Sequence, residues 1–500
     1  MRRWLLGLLL SLLLAALAGG WAWQALHRPP VPQTLANGAQ LQWVDCWFTV
    51  SVLRPVHCGR FRTAPEPGAP AGFELPVVYV PARPWRRSTT PLLYIAGGPG
   101  GATLLGAGDM PDWLAWLNDL DWPHDTVFYD QRGVGLARPA LDCPELLAER
   151  RALLPLDVST EEAGRRLLAQ ARACRDRLEG LGYDLSAFST RANARDASDL
   201  MAALGAPQWN LYGVSYGTRV ALDLLRLAPQ RVRAAILDSV YPPQVQPELA
   251  DPWLLARALD LIGRICELSG ECARAPAATV ADIERILARL QTAPLVTEVP
   301  DPAGAGRLQV RYNAEAFAWL LFEALYRWDR LAALPGQLAA LADGEVPPGL
   351  QEVIADSVAA TLDASFSDAV GGAVDCNDGA AVDAAAAASM RDRFPAVAPL
   401  LAHDWAFHPC RTWKRGDAGA GFRRPVRSAV PTLLLAGEFD PVTPPHWAQA
   451  AAAGLQRGFV FEFPAVGHGV LDSHECAAEL SKAFLAAPQA PRAPTCLDGL

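Results

Sequence analysis

No two cysteines in this sequence stand at C-x-x-C spacing, which removes the usual signatures of a structural zinc site and of a dithiol redox centre. There is no long basic cluster, and the formal net charge is −9, which argues against nucleic acid or an acidic membrane surface as partner. Heptads and internal repeats are absent, so neither a coiled coil nor a solenoid is expected. Charged residues make up only 19% against 51% hydrophobic, a balance that describes a packed globular body and not a disordered chain. With 500 residues there is more chain than one simple core needs, so an enlarged domain or two domains are expected.

What is present begins with an export segment. Arg2 and Arg3 precede an apolar run from Trp4 to Leu17, and Ala16-Leu17-Ala18 has the small-x-small form of a signal-peptidase site. Cleavage there removes two arginines and no acid, taking the charge from −9 to −11. Apolar character continues to Leu26, long enough for an uncleaved anchor with Trp21 and Trp23 at the interface. Residues 1–26 are therefore a signal peptide or membrane anchor and residues 27–39 a Pro-rich linker, and the body is periplasmic or secreted. The ten cysteines agree with an oxidising compartment. They allow about 945 pairings. Joining sequence neighbours gives Cys46–Cys58, Cys143–Cys174, Cys266–Cys272, Cys376–Cys410 and Cys476–Cys496. The alternative is that several are buried free thiols.

Between residues 40 and 240, short apolar runs recur at α/β spacing: 73–81, 92–95, 126–129, 209–212 and 234–237. Runs of this kind separated by helical stretches predict a mostly parallel sheet covered on both faces. From 241 to 425 the chain turns Ala- and Leu-rich with helical periodicity, as in 253–267, 280–290 and 314–333, and has few β runs beyond 308–312. Strand signals return at 432–435 and 459–463. The expected architecture is an α/β core, 40–240 and 426–500, interrupted by a largely helical insertion over the carboxyl ends of the strands, as a lid.

Chemistry is signalled first by Gly213-Val214-Ser215-Tyr216-Gly217, a G-x-S-x-G pentapeptide between a strand-like run and a helix-like stretch. On such a turn the serine hydroxyl stands above the sheet, and the next N–H, that of Tyr216, points toward a developing oxyanion. The nucleophile needs a base, and the base an acid to orient it. His468 lies between two glycines after the last strand, whereas His474 is its rival without that frame. Asp440 follows the strand 432–435, with Glu438 and Asp238 as rival acids. A second oxyanion donor is sought in Ala96-Gly97-Gly98-Pro99-Gly100-Gly101, where glycines let N–H groups face a substrate. That loop matches neither G-x-x-x-x-G-K-[ST] nor G-x-G-x-x-G, so it is not read as a phosphate cradle.

Together these motifs resemble the α/β-hydrolase superfamily, and within it the proline iminopeptidase and tripeptidyl aminopeptidase group of secreted serine peptidases. The resemblance runs over roughly residues 40–480 and adds Asp130-Gln131-Arg132-Gly133-Val134-Gly135 and Asp440-Pro441-Val442-Thr443-Pro444. It implies a triad of Ser215, Asp440 and His468, an oxyanion hole from Gly98 and Tyr216, a 130–135 loop that shapes the site without reacting, and a peptide substrate with no metal or organic cofactor. Many relatives carry histidine where Ala96 stands. Asp375 and Asp378 are candidates to hold a substrate α-amine, with idle surface acids as the alternative. Gly379 sits where a calcium loop needs Asp or Asn, so that use of the segment is set aside. An esterase acting on small acyl esters, and an inactive binding protein of the same fold, are the competing functions.

Overall fold

The computed structural model describes residues 28–51, 54–65, 72–269, 275–326, 328–379, 410–413 and 416–489, with residues 389, 393, 491 and 496 besides. The expected leader (1–26), and Cys272 as expected partner of Cys266, lie outside the described residues.

The described residues form eleven strands: β1 (Gln40–Val44), β2 (His57–Arg62), β3 (Glu74–Val80), β4 (Leu92–Ile95), β5 (Thr126–Tyr129), β6 (Trp209–Val214), β7 (Val232–Asp238), β8 (Leu295–Pro300), β9 (Arg307–Tyr312), β10 (Thr432–Gly437) and β11 (Gly458–Phe463). Nine form one sheet in the order β1-β2-β3-β5-β4-β6-β7-β10-β11. The first four of these pair antiparallel, and the run from β5 to β11 is parallel. All residues of β4, β5 and β10 are buried, as a sheet with helices on both faces requires. Apolar side chains accordingly separate into two clusters, one holding Leu93, Ile95 and Leu211, the other Leu92, Tyr94 and Phe128.

The long segment between β7 and β10 holds helices, the longest Pro247–Ser269, and the antiparallel hairpin β8–β9. The sequence pattern points to 308–312 but misses β8, and it misses β1 and β2 as well. Burial alternates along β1 and β8, so neither shows a continuous apolar run. The helical stretch expected over 314–333 is broken: one helix ends at Ala324, and Leu325 and Tyr326 form a turn against Gly467. Residues expected as a free linker are tied down, with Gln33 N–H donating to the Ala203 carbonyl at 2.8 Å. Disulfides join Cys46–Cys58, Cys143–Cys174, Cys376–Cys410 and Cys476–Cys496.

Candidate active site

Register brings the functional loops to one edge. Ile95 pairs with Gly213, Val214 with Asp238, Asp238 with Leu435, and Gly437 with Phe463. The segments carrying Gly97, Ser215, Asp440 and His468 therefore all leave the sheet at its carboxyl end, beside a change of direction in strand order, where open α/β sheets bind ligands.

Ser215 follows β6 and precedes the Tyr216–Leu227 helix with φ 56° and ψ −123°, a backbone state that a side chain rarely adopts and that functional sites retain. Its N–H donates to the Asp238 carbonyl at 2.8 Å. The flanking glycines are forced by space. A Cβ on Gly217 would sit 2.0 Å from the Ile95 carbonyl oxygen, and one on Gly213 would sit 2.6 Å from that of Gly217. A Cβ on Gly97 would lie 3.1 Å from Cβ and 3.7 Å from Oγ of Ser215, so Gly97 abuts the serine and Gly98 is next along the loop. The Tyr216 ring is buried, its hydroxyl accepting from Thr190 Oγ1 and Asn193 Nδ2 at 3.0 Å each.

His468 and Asp440 meet: imidazole Nδ1 lies 2.9 Å from Asp440 Oδ2. Asp440 is fully buried and also accepts from the N–H groups of Val442 (2.9 Å) and Thr443 (2.7 Å) and from Thr443 Oγ1 (2.6 Å). Burial would push its carboxyl up, but the charge of His468 and hydrogen bonds from His468 and Thr443 outweigh it and hold the pKa at about 2. Burial works against a charged His468, yet Asp440 more than offsets it and Asp238 adds to the effect, so the imidazole pKa is raised. Tyr326 lies edge-on to the imidazole, ring centroids 5.2 Å apart. The rivals are occupied elsewhere. Glu438 pairs with Arg264 at 3.2 Å, His474 accepts from Cys476 N–H, and Asp238 binds backbone N–H groups and not an imidazole.

The 130–135 loop is a scaffold. Asp130 accepts from Thr103 and Leu136 N–H at 2.8 Å each, Gln131 Nε2 donates to the Ala96 carbonyl at 3.0 Å, and Arg132 forms a buried bidentate pair with Asp196 at 2.8 Å.

A cavity of about 750 Å³ opens beside Gly98 and Pro99, mostly apolar, with Leu146, Leu167, Trp319 and Trp413 among its walls and the acidic residues Glu323 and Asp375 in its lining. Its size suits a small ligand or short peptide. Burial raises the Glu323 pKa despite a hydrogen bond from Ser357. Asp378 does not reach this space. It is fully buried, accepts from Thr190 N–H at 3.1 Å, and is raised to about 6 by burial, with Arg219 acting the other way. Asp378 is thus no surface acid, and Asp375 is half-buried. Sequence reasoning named Thr443 only within the 440–444 motif and gave it no role of its own. It also missed Glu323 and Tyr326, which carry no local motif.

Sequence comparison bears on this arrangement. A profile of the α/β hydrolase fold matches residues 90–263, and a profile described as TAP-like protein matches residues 398–496. The chain has the α/β-hydrolase fold. It is 31% identical over 218 residues to a tripeptidyl aminopeptidase of Streptomyces lividans, covering 42% of the chain and 40% of that relative. It is 32% identical over 136 residues to serine protease Hip1 of Mycobacterium tuberculosis, covering 25% and 24% of the two. The chain thus matches about two-fifths or less of the length of these relatives. A solved proline iminopeptidase from Mycobacterium smegmatis aligns over 83% of this chain and 96% of its own at 15% identity and a TM-score of 0.37, a likeness too loose to bear on function. Among the described residues no cluster of side chains fits a metal ion, and no helix is long and apolar enough to cross a membrane.

Proposed function

We propose that this chain is an exported serine aminopeptidase that releases N-terminal residues or short peptides through an acyl-enzyme. The observation that carries the proposal is the buried Asp440–His468 hydrogen bond at the edge where Ser215 is held at positive φ. Asp440 keeps Nδ1 protonated, so Nε2 is the nitrogen left to take the Ser215 proton. Oγ attacks the scissile carbonyl carbon, and N–H groups of Tyr216 and of the Gly98 loop receive the oxyanion. The imidazolium then protonates the leaving amine as the C–N bond breaks. Water, deprotonated by His468, attacks the acyl carbon and frees Ser215.

The helical segment between β7 and β10 would serve as the lid. Its Ser367 N–H donates to the Gly100 carbonyl at 2.8 Å, and its Leu325 carbonyl packs on Gly467. A free α-amine in the cavity would find Asp375 and Glu323, which is why an amino-terminal substrate is favoured. Four disulfides support an oxidising destination. The apolar walls also favour the competing function, an esterase of small acyl esters.

A fluorophosphonate probe on wild type and Ser215→Ala tests the nucleophile: equal labelling of both refutes it, and labelling of neither favours an inactive binding protein. Profiling free-amine peptidyl amides, their N-blocked forms and simple acyl esters tests the substrate. Cleavage of esters alone, or of blocked peptides in preference, would reject the aminopeptidase.

A further inference from the structure

The carboxylate of Asp238, at the end of β7, is fully buried and is not used by the mechanism above. Its Oδ1 accepts from Val470 N–H and its Oδ2 from Leu471 N–H, both at 2.8 Å. Ser239, held at φ 58°, accepts from Gly469 N–H through Oγ at 2.9 Å. Three successive N–H groups immediately after His468 thus end on two successive side chains of one loop. Tyr212 Oη and Ser239 Oγ each donate to the same carboxylate at 3.2 Å. On its other side, the Asp238 main-chain carbonyl accepts the N–H of Ser215 at 2.8 Å. One residue is therefore bonded to the nucleophile's backbone and to the loop that carries the base.

We infer that Asp238 is a positioning residue for the Ser215–His468 pair, its carboxylate fixing where the imidazole stands relative to Oγ. The inference rests on the roles proposed above for Ser215 and His468. Ångström-scale displacement of a base is enough to cost a large factor in rate. A carboxylate suits the task because backbone N–H groups bond more strongly to a charged acceptor than to a neutral one. It also acts on the imidazole electrostatically. The groups facing His468 are Asp440, Asp238 and Tyr326. Those facing Asp238 are His468, Asp472, Tyr212 and Tyr94. Burial raises Asp238 to about 6 against the bonds from Leu471 and Val470, with Asp472 raising it further. At neutral pH the carboxylate is charged and favours the imidazolium.

The test is steady-state kinetics and the pH profile of Asp238→Asn beside wild type, with folding checked by near-UV circular dichroism. An amide cannot accept both N–H groups, so kcat falls about 10- to 100-fold with KM within about twofold, and the acid limb of kcat/KM moves to lower pH as His468 loses a nearby negative charge. A folded Asp238→Asn enzyme with wild-type kcat and an unmoved acid limb overturns the inference, whatever its loss of thermal stability. Should that variant not fold, Ser239→Ala decides. It removes the acceptor for Gly469 and one donor to the Asp238 carboxylate, and lower kcat at constant KM supports the inference while unchanged kcat overturns it. Fluorophosphonate labelling of wild type separates the two levels: no labelling at Ser215 removes the proposed nucleophile, whereas normal labelling with an unaffected Asp238→Asn removes only the positioning role.

Discussion

At the scale of single residues, the site is an exercise in holding charge where it is useful. Ser215→Ala removes the proposed nucleophile, so turnover is expected to fall to the background that oxyanion donors and binding supply, measured with a free-amine peptidyl amide. Asp440→Asn leaves the packing but reverses the hydrogen-bond demand on Nδ1. A drop in kcat of about four orders of magnitude is expected; a loss below tenfold would mean that another acid orients the histidine. The pH profile follows from the two shifts. The base must be unprotonated to act, and its pKa is raised above the ordinary 6.5, so activity rises with pH through a limb centred above 6.5. Asp440, held at about 2, stays ionised across that range and adds no limb of its own. A rate profile with its acid limb centred well below 6.5 would contradict the electrostatics of this pair.

At the scale of elements, close approach and cross-links do the placing. Gly217 lets the helix after the nucleophile press on the end of β4, and Gly217→Ala drives Cβ into backbone that cannot move aside. A loss at the upper end of about 1–3 kcal/mol is expected in denaturant unfolding. The Cys376–Cys410 bridge ties the Asp368–Asp378 helix, and both cysteines line the cavity. Replacing both by serine should raise KM more than it lowers kcat, and equal effects on the two would place the bridge outside substrate binding. These elements also show what the sequence can and cannot reveal. Strands buried on both faces print continuous apolar runs, as β4, β5, β6, β7 and β10 do, and the half-buried edge strand β11 still prints Phe459, Val460, Phe461 and Phe463, so these strands and the segments after them were legible. The spacing rule that finds Ser215, Asp440 and His468 works because each follows such a strand. Edge strands β1 and β8 alternate in burial and left no run. Asp378 looked equivalent to Asp375 because both flank Cys376. Three residues apart near the end of one helix, they differ in depth: Asp378 lies under Thr190 and Arg219, and only Asp375 lines the cavity.

At the scale of the whole molecule, the α/β core carries Ser215, Asp440 and His468, and the segment between β7 and β10 supplies most of the cavity wall, Glu323 and Asp375 included. An ammonium held by carboxylates in such a space is worth about 1.5–3 kcal/mol. Acetylating the substrate amine should therefore lower kcat/KM by about 10- to 100-fold, and an unchanged value would assign those carboxylates another task.

That same segment presses on both sides of the chemistry. Gly100 meets Ser367 and Gly371, while Gly467, next to His468, meets Leu325 and Tyr326. A specificity change made by transplanting the roof from a hydrolase of the same fold would replace the surfaces that support the 97–101 turn and His468. Such chimaeras should lose turnover on every substrate until those contacts are rebuilt. Substitutions confined to the cavity wall, away from 325–326 and 366–371, are the safer route to a new preference.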